Sequence, residues 1–430
     1  MLCIFSMGLF TKRIGSIRRN ILLGKRDEIP VKKSSGLKQL LLLAFGQKKM
    51  FKNPLVAVLH LVIYTGFLII NIEMIEIILD GLIGTHRVFY TIIPDLYKLL
   101  INSFEGLAVS VIAVCIVFLT RRNLMNIDRF KSDDLKGSPT KDANIILVVE
   151  IILMVLFLFM NAADTTLQLR EQEPYAAQST GPFIISSVLH PLMDGLPTPI
   201  LVLFERCCWW MHIAGVFAFL NYLTWSKHLH IILAFPNAYF ANPKGTGKFH
   251  NMKAVQQEVL YGFDPFLVPV HNEIPTVFGA KDIQDLGWKN LLDAYSCTEC
   301  GRCSAVCPAT QTGRRLSPRK IMMDTRDRAE EIGRHIDKTG TFEEDGKSLL
   351  YHTISEEEVR ACTTCNACVE ACPVSINPLD IIIQLRRYLI MEKSSAPQEW
   401  NLMFGNIENN FAPWKVSSAD RTSWSLNNPT

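Results

Sequence analysis

The chain has 430 residues, of which 49% are apolar, and its mean hydropathy is positive. This is more apolar than an ordinary soluble protein of this length, so part of the chain is predicted to lie in lipid. Its 44 Lys and Arg nearly balance 41 Asp and Glu, which argues against a nucleic-acid partner.

The N-terminal segment, residues 1–52, is strongly basic and is predicted to lie on the cytoplasmic side of a membrane. It holds twelve Lys and Arg against two acidic residues, Asp27 and Glu28. The basic residues follow the apolar start of the chain rather than precede it, which does not fit a secretory signal. Lys and Arg are enriched in cytoplasmic segments next to membrane spans. Within this segment, Leu37 to Phe45 is predicted to form an interfacial helix.

Residues 53–236 are predicted to form a four-helix transmembrane bundle. A bilayer core of about 30 Å needs roughly 20 apolar residues in a helix. The stretches that meet this requirement are Pro54–Leu79, Ser103–Thr120, Asn144–Ala163 and Pro199–Trp225. Arg121 and Arg122 follow the second span, whereas the connections after spans one and three hold few cations. The basic ends are therefore predicted to face the cytoplasm, to which four spans return the chain.

Histidines in and next to these spans are candidate haem b ligands, because polar rings are rare in hydrocarbon and haem b takes an imidazole from each of two facing helices. His60, near the cytoplasmic end of span one, is predicted to pair with His228, which is predicted to close span four. His212 lies 16 residues before His228, about 24 Å along a helix, where it would serve a second haem. Weaker candidates are His86, His190 and His230. One or two haems are therefore predicted; the alternative is that these histidines are hydrogen-bonded structural residues.

Two cysteine runs dominate residues 237–393, and each has the spacing C-x2-C-x2-C-x3-C-P. In this spacing three thiolates bind one 4Fe–4S cluster and the fourth binds a second cluster. One predicted ligand set is Cys297, Cys300, Cys303 and Cys372. The other set is Cys362, Cys365, Cys368 and Cys307. Disulfides and zinc are the alternatives, but cytoplasmic thiols stay reduced and zinc sites rarely pack four cysteines so tightly.

Helix-start signals follow both cysteine runs. Ser317-Pro318 and Asn377-Pro378 each place a capping residue before a proline that suits the first helical turn. Because few strand signals accompany them, residues 237–393 are predicted to form an all-helical domain. Residues 394–430 lack an evident helical period and are predicted to be an extended tail, in which Trp400, Trp414 and Trp424 dock on a partner.

A family resemblance is carried by the stretch from Phe278 through Cys303 and by Thr312-Gly-Arg-Arg-Leu-Ser-Pro-Arg. It resembles heterodisulfide-reductase-like iron–sulfur oxidoreductases, which include membrane-bound electron-transfer-flavoprotein:menaquinone oxidoreductases. The membrane half is similar to the gamma-type cytochrome b of nitrate reductase through His60, His212 and His228. The resemblance implies an all-α fold, in which a four-transmembrane-helix cytochrome b-like bundle precedes an α-helical ferredoxin domain.

The resemblance also implies a function. It indicates a membrane-anchored electron-transfer subunit of a quinone-linked oxidoreductase in the inner (cytoplasmic) membrane of a bacterium, with the cluster domain and the N terminus in the cytoplasm. Electrons would pass between a cytoplasmic donor and menaquinone. Fused relatives continue into cysteine-rich CCG modules; no CCG motif follows Trp414, so a separate CCG subunit or an electron-transfer flavoprotein is the expected partner. The alternative is a non-catalytic iron–sulfur anchor or assembly subunit of a respiratory complex.

Overall fold

The computed structural model describes residues 1–26, 32–178, 180–241, 247–264, 266 and 277–426. Over these residues the chain is helical, and the sheet-like pairings are two isolated bridges, Lys25 with Gly287 and Leu350 with Ile354. The all-α prediction is confirmed. A part with four long apolar helices is followed by a domain of shorter helices.

The N-terminal segment contains a helix that was not predicted from the sequence. Its elements are α1 (Leu2–Ile21), α2 (Lys33–Gln39), a π-helical turn over Leu40–Phe45 and a 3-10 turn over Met50–Lys52. Ser6 Oγ donates to the carbonyl of Phe217 at 3.2 Å, and Asn20 Nδ2 donates to Tyr295 Oη at 3.0 Å. Because Phe217 belongs to the last long apolar helix and Tyr295 to the cluster domain, α1 ties the two halves of the chain together.

Among the described residues, four helices are long and apolar enough to cross a membrane. The helices of this part are α3 (Pro54–Ile83), α4 (Val88–Ile92), α5 (Pro94–Asn123), α6 (Ser138–Leu169), α7 (His190–Met193) and α8 (Thr198–Leu223). Each long helix has a proline at its first or second position, where the missing N–H costs nothing. In chain order, each long helix packs against the next, around buried residues that include Ile101, Phe104 and Phe157. The second and third helices extend beyond their predicted spans because polar first and last turns continue them.

A buried arginine holds the connections at the end of the bundle remote from the cluster domain. Arg87 Nε donates to Asp164 at 2.9 Å, and its terminal nitrogens donate to Asn161 at 2.7 Å and to Glu73 at 3.2 Å. These partners lie on α3 and α6, so one side chain fixes both helices to the α3–α4 connection. Glu105 of α5 accepts from the backbone N–H of Ile185 at 3.0 Å in the same region. This end of the bundle is therefore closed by polar contacts.

The cluster domain is built from short helices joined by the two cysteine runs. After the connecting helices α9 (His230–Tyr239) and α10 (Lys253–Phe263) it contains α11 (Trp288–Tyr295), α12 (Arg302–Ala305), α13 (Pro308–Gln311), α14 (Pro318–Thr339), α15 (Glu356–Ala361), α16 (Ala367–Ala371) and α17 (Pro378–Arg387). The predicted starts are confirmed: Ser317 accepts from Lys320 N–H, and Asn377 accepts from Asp380 N–H at 3.1 Å. A shared apolar core holds these helices.

The prediction of an extended tail over 394–430 is wrong for residues 398–410. These form α18 (Gln398–Asn410), and a last turn, α19, covers Ser423–Leu426. Trp400, Phe404 and Ile407 follow one another at helical spacing, and each is more than a third exposed. The intervening Asn and Glu residues made this period hard to recognise in the sequence. The helix presents an exposed apolar stripe.

Candidate iron–sulfur centres and adjoining cavity

The two cysteine runs have the same backbone conformation. Glu299 and Gly301 in the first run have φ of 53° and 72°, and Thr364 and Asn366 in the second run have φ of 56° and 62°. These positions are equivalent, since they stand two and four residues after the first cysteine of each run. Left-handed residues reverse the chain direction locally, which turns successive thiols toward one side. The internal repeat therefore extends to the local geometry of the cysteine loops.

The fourth cysteine of each run lies with the first three of the other run. Cys307 lines one small cavity together with Cys362, Cys365 and Cys368. Burial raises the pKa of Cys368 to about 12, and the neighbouring thiols, Cys362 first and then Cys307, add to the shift.

The second group consists of Cys297, Cys300, Cys303 and Cys372. Burial raises the pKa of Cys297 to about 12, and smaller effects that raise it further come from Glu299, Cys300 and Cys372. Burial likewise raises the pKa of Cys303, with Cys297, Cys300 and Cys372 among its neighbours. The structure thus brings the eight cysteines together in the two predicted groups of four.

The arrangement of the thiols suits a polynuclear centre. The thiols stand in two sets of four, and a set of four sulfur donors is the one that iron–sulfur clusters require. Backbone N–H groups also point at sulfur: Thr364 N–H donates to Cys362 at 3.4 Å, and Ile376 N–H to Cys372 at 3.3 Å. Such contacts stabilise thiolate ligands and tune cluster potentials.

A much larger cavity, of about 470 Å3, adjoins the first cysteine run. Its walls include apolar residues of the long helices, such as Phe67, Leu153 and Phe219. Cys300 and Pro373, from the two cysteine runs, line it as well. The cavity therefore connects the interior of the membrane bundle with the first cysteine group.

Histidines with fixed ring orientation face this cavity. The lining histidines are His60, His212, His228 and His230. In three of them Nδ1 lies near an oxygen: His60 with Gln47 Oε1 at 3.0 Å, His212 with the Leu153 carbonyl at 3.0 Å, and His230 with the Lys227 carbonyl at 3.1 Å. A carbonyl acceptor assigns the proton to Nδ1 and leaves Nε2 with a lone pair, which is the usual arrangement for a metal-binding histidine. His230, a weaker candidate from the sequence, lines the same cavity, and no pattern in the chain indicated its hydrogen bond.

The prediction that His228 closes span four, on the same helix as His212, is wrong. The last long helix ends at Leu223 rather than Trp225, and Ser226 caps a 3-10 turn over Lys227–Leu229 by accepting from His228 N–H at 3.1 Å. His228 and His212 are therefore not on one continuous helix. The His228 and His230 rings lie 5.3 Å apart, and burial, followed by His230 and His60, lowers the pKa of His228 to about 3. The His228 ring is thus neutral and near both other histidines.

His86 and His190 lie elsewhere. His86 Nε2 is 3.1 Å from Asp164 Oδ1, and His190 Nε2 is 2.8 Å from Thr165 Oγ1. Both belong to the polar end of the bundle remote from the cysteines, and neither is among the described residues that line the large cavity. The structure therefore does not place His86 or His190 near the histidines of the large cavity.

Among the described residues, two ionic contacts join the cluster domain to the membrane bundle. Lys227, next to His228, lies 2.7 Å from Glu299, which also binds Arg326 at 2.8 Å. The second contact joins the α5–α6 connection to α14: Arg319 Nε donates to Asp134 Oδ2 at 2.9 Å and is 1% exposed. No sequence signal indicated these long-range pairs. They hold the first cysteine loop against the adjoining end of the bundle.

Comparison with known proteins agrees with this arrangement. Residues 293–376 match the model of the 4Fe-4S dicluster domain family. The chain is 26% identical to a protein described as "probable iron-sulfur-binding oxidoreductase FadF" from Bacillus subtilis, over 98% of this chain and 59% of that protein. It is 26% identical to an EtfAB:quinone oxidoreductase from Syntrophomonas wolfei, over 89% of this chain and 52% of that protein.

A shorter match points to the same kind of protein. The chain is 30% identical to a "probable membrane-anchored ferredoxin" from Chromohalobacter salexigens, over 34% of this chain and 24% of that protein. No solved structure matches. The chain spans between half and two thirds of the length of the Bacillus and Syntrophomonas relatives. It is a membrane-anchored protein with a dicluster domain for two 4Fe–4S clusters, related to these iron–sulfur oxidoreductases.

Proposed function

We propose that this chain carries electrons between a cytoplasmic donor and menaquinone, with two 4Fe–4S clusters and haem b as its cofactors. The observation that carries the proposal is the large cavity, because it places four histidines of the membrane half and Cys300 of the cluster domain on one continuous surface. The name of one relative, EtfAB:quinone oxidoreductase, supports an electron-transfer flavoprotein and a quinone as partners of this chain as well.

The cluster ligands follow the crossed pattern. Cys297, Cys300 and Cys303 hold one cluster with Cys372, since these thiols are electrostatic neighbours in a buried group. The second cluster is held by Cys362, Cys365, Cys368 and Cys307, which line one cavity. Each cluster is therefore held by cysteines from both runs, which lie some 60 residues apart in sequence.

Haem b fits the residues of the large cavity. His60 and the His228–His230 pair offer neutral imidazoles at its cytoplasmic end, and His212 offers another deeper in the bundle. A bis-imidazole haem supplies one-electron chemistry when bound. The chain's own part is to hold the rings through their Nδ1 contacts and to exclude water with apolar walls.

The distribution of basic residues indicates on which side of the membrane the N terminus and the cluster domain lie. Arg121 and Arg122 end one long helix, and the basic α1 packs on the same end of the bundle. We therefore place the N terminus and the cluster domain in the cytoplasm of a bacterial cell. The exposed stripe of α18, with Trp400 and Phe404, suits the docking of a CCG subunit or an electron-transfer flavoprotein.

Absorption spectroscopy and iron analysis of the purified full chain test the proposal. We expect bis-imidazole haem b bands and about eight iron atoms per chain in addition to haem iron. His60→Ala should remove the cytoplasmic-end haem, whereas His86→Ala should retain it, and comparing His228→Ala with His230→Ala assigns the opposing ligand. Clusters without any haem absorbance would contradict the haem assignment. Failure of menaquinol to reduce an intact protein would favour a non-catalytic anchor.

A further inference from the structure

Four arginines gather at the end of the large cavity that lies beside the first cysteine group. Arg121 and Arg122 come from the last turn of α5, Arg129 from the α5–α6 connection, and Arg302 from the cysteine loop itself. The guanidinium groups of Arg122 and Arg129 lie 5.4 and 4.9 Å from the centroid of the Phe130 ring, so both lie beside the same ring. The positive charges of Arg302 and Arg121 also act on Arg129. Three separate segments thus deliver cations to one place.

These arginines have no direct carboxylate contact within the described residues, although the charges of Glu299 and Asp142 act on Arg122 from further away. None of the four is ion-paired with a carboxylate there, and the Nε atoms of Arg122 and Arg129 are buried without a hydrogen-bond partner. Lys227, another cation of the same cavity, contrasts with them because it pairs with Glu299 at 2.7 Å. Glu299 is already shared with Arg326. The protein therefore pairs Lys227 directly with a carboxylate and leaves four guanidinium groups without such a contact.

Such a group of like charges is costly unless an anion joins it. Removing guanidinium groups from water carries a desolvation penalty, and the mutual repulsion of the four adds to it. Arginine binds carboxylate and phosphate in a fixed fork geometry. A ligand that suits the whole cavity has an apolar body for the walls near Phe67 and Leu153 and at least two negative charges at one edge.

We propose that the four arginines bind the two propionate carboxylates of the porphyrin and so orient it with its carboxylate edge toward Cys300. This inference rests on the proposed haem at this site. The arginines act as positioning residues. Arg302 stands between Cys300 and Cys303, so the propionate edge is the part of the porphyrin nearest to the first cluster, and the arginine charges raise the haem potential.

Haem and its dimethyl ester, in which both carboxylates are blocked, provide the test. Full-length protein produced under haem limitation is titrated with each compound, and binding is followed by the absorbance of the bound form. Wild-type protein should bind haem at least about tenfold more tightly than the ester, the effect of a modest charge-assisted contact. In the double variant Arg122→Gln/Arg129→Gln, which keeps Arg121 and Arg302, this preference should shrink, and the haem midpoint potential should fall.

The control is Arg315→Gln, which removes the same charge from a side chain that is 79% exposed and paired with Glu357. It should keep the wild-type preference and potential. Cluster absorbance of each variant reports on folding, and the wild-type comparison of haem with its ester needs no variant. Equal binding of the two compounds by wild-type protein, or a preference of undiminished size in the double variant, would overturn the inference while leaving the proposed haem intact.

If the proposed function fails, the experiment gives a different result from the one that overturns this inference. A wild-type protein that binds neither compound contradicts the haem itself. If that haem-free protein retains an anionic phospholipid, and the double variant loses it, the arginines bind lipid phosphate and the propionate assignment is overturned.

Discussion

The contact between Asp134 and Arg319 gives the sharpest prediction about how the two halves are joined. Arg319 is 1% exposed, and it donates to Asp134 through two nitrogens, to the carbonyl of Arg129 at 3.0 Å, and to Ser132. Asp134 also accepts from Ser317 Oγ at 2.8 Å. The variant Asp134→Asn keeps the size of the side chain but removes the charge. It therefore leaves a buried guanidinium without its counter-ion.

The magnitude follows from the burial of this pair. Removing one partner of a buried ion pair costs about 3–5 kcal/mol. We take the lower value, about 3 kcal/mol, because the asparagine oxygen still accepts one hydrogen bond and the Arg129 carbonyl remains. Since about 1.4 kcal/mol corresponds to a factor of ten, local separation of the first cysteine loop from the bundle should become on the order of 100-fold more frequent.

Loss of cluster absorbance to an iron chelator under anaerobic conditions measures this separation. If chelation is slower than reclosing, the rate follows the open population, so Asp134→Asn should lose absorbance about 100-fold faster than wild type. Asp133→Asn is the control, because that carboxylate is 92% exposed and pairs with an exposed lysine. Equal rates for the two variants would refute the reasoning that the buried pair fixes the loop.

The pH dependence of this effect has a definite sign. Burial raises the pKa of Asp134, but its contacts with Arg319, Ser132 and Ser317 outweigh this and hold the pKa below the usual range. A depressed carboxyl pKa contributes stability that is present above the unfolded-state pKa and is lost as the pH falls through the folded-state pKa. The ratio of the rates for Asp134→Asn and wild type should therefore stay constant across the neutral range. A ratio that changes there would point to another group.

Two further predictions concern the cysteine loops. The double variant Cys300→Ser/Cys372→Ser should lose a single cluster and retain about four iron atoms of the other cluster. The double variant Cys300→Ser/Cys307→Ser should lose both clusters. In an uncrossed arrangement the two variants would exchange these results, and iron analysis distinguishes the two cases. Gly301→Ala should weaken the first cluster more than Gly313→Ala weakens it in the chelator assay. Both glycines have left-handed φ, 72° and 76°, and this conformation costs alanine about 1–2 kcal/mol at either position. The two positions differ in their surroundings, because a Cβ on Gly301 would lie 2.5 Å from an arginine nitrogen, whereas Gly313 faces open space. Equal effects would show that the close approach is unimportant.

The contact through Glu299 has a consequence for the proposed electron path. This carboxylate belongs to the first cysteine run, and Lys227, its partner at 2.7 Å, precedes His228. A change of charge at the first cluster or at the proposed haem would therefore act at short range on the Lys227–Glu299 ion pair. The same contact keeps the histidine turn and the cysteine loop in fixed relative positions.

Patterns that repeat at fixed short spacing were readable from the sequence. The paired cysteine spacing predicted the dicluster domain, which the family match confirms, because cluster ligation demands thiols at set intervals. Proline and capping residues predicted the starts of α14 and α17 for the same local reason. The four apolar stretches predicted four long helices, since bilayer thickness sets their length. In α18, by contrast, Asn and Glu residues obscured a helical stripe that included Trp400.

Features that depend on distant partners were decided by the tertiary structure. The end of the last long helix at Leu223 places His228 and His230 in a separate turn, and a hydrogen bond to a carbonyl, not a motif, orients His230. The helix α1 is held by Phe217 and Tyr295, about 200 and 275 residues away, so no local pattern could reveal its role. Residue spacing along the chain determined which cysteines can serve as ligands. Packing between the halves decided which histidines and arginines meet them, because those contacts exist only after the chain has folded.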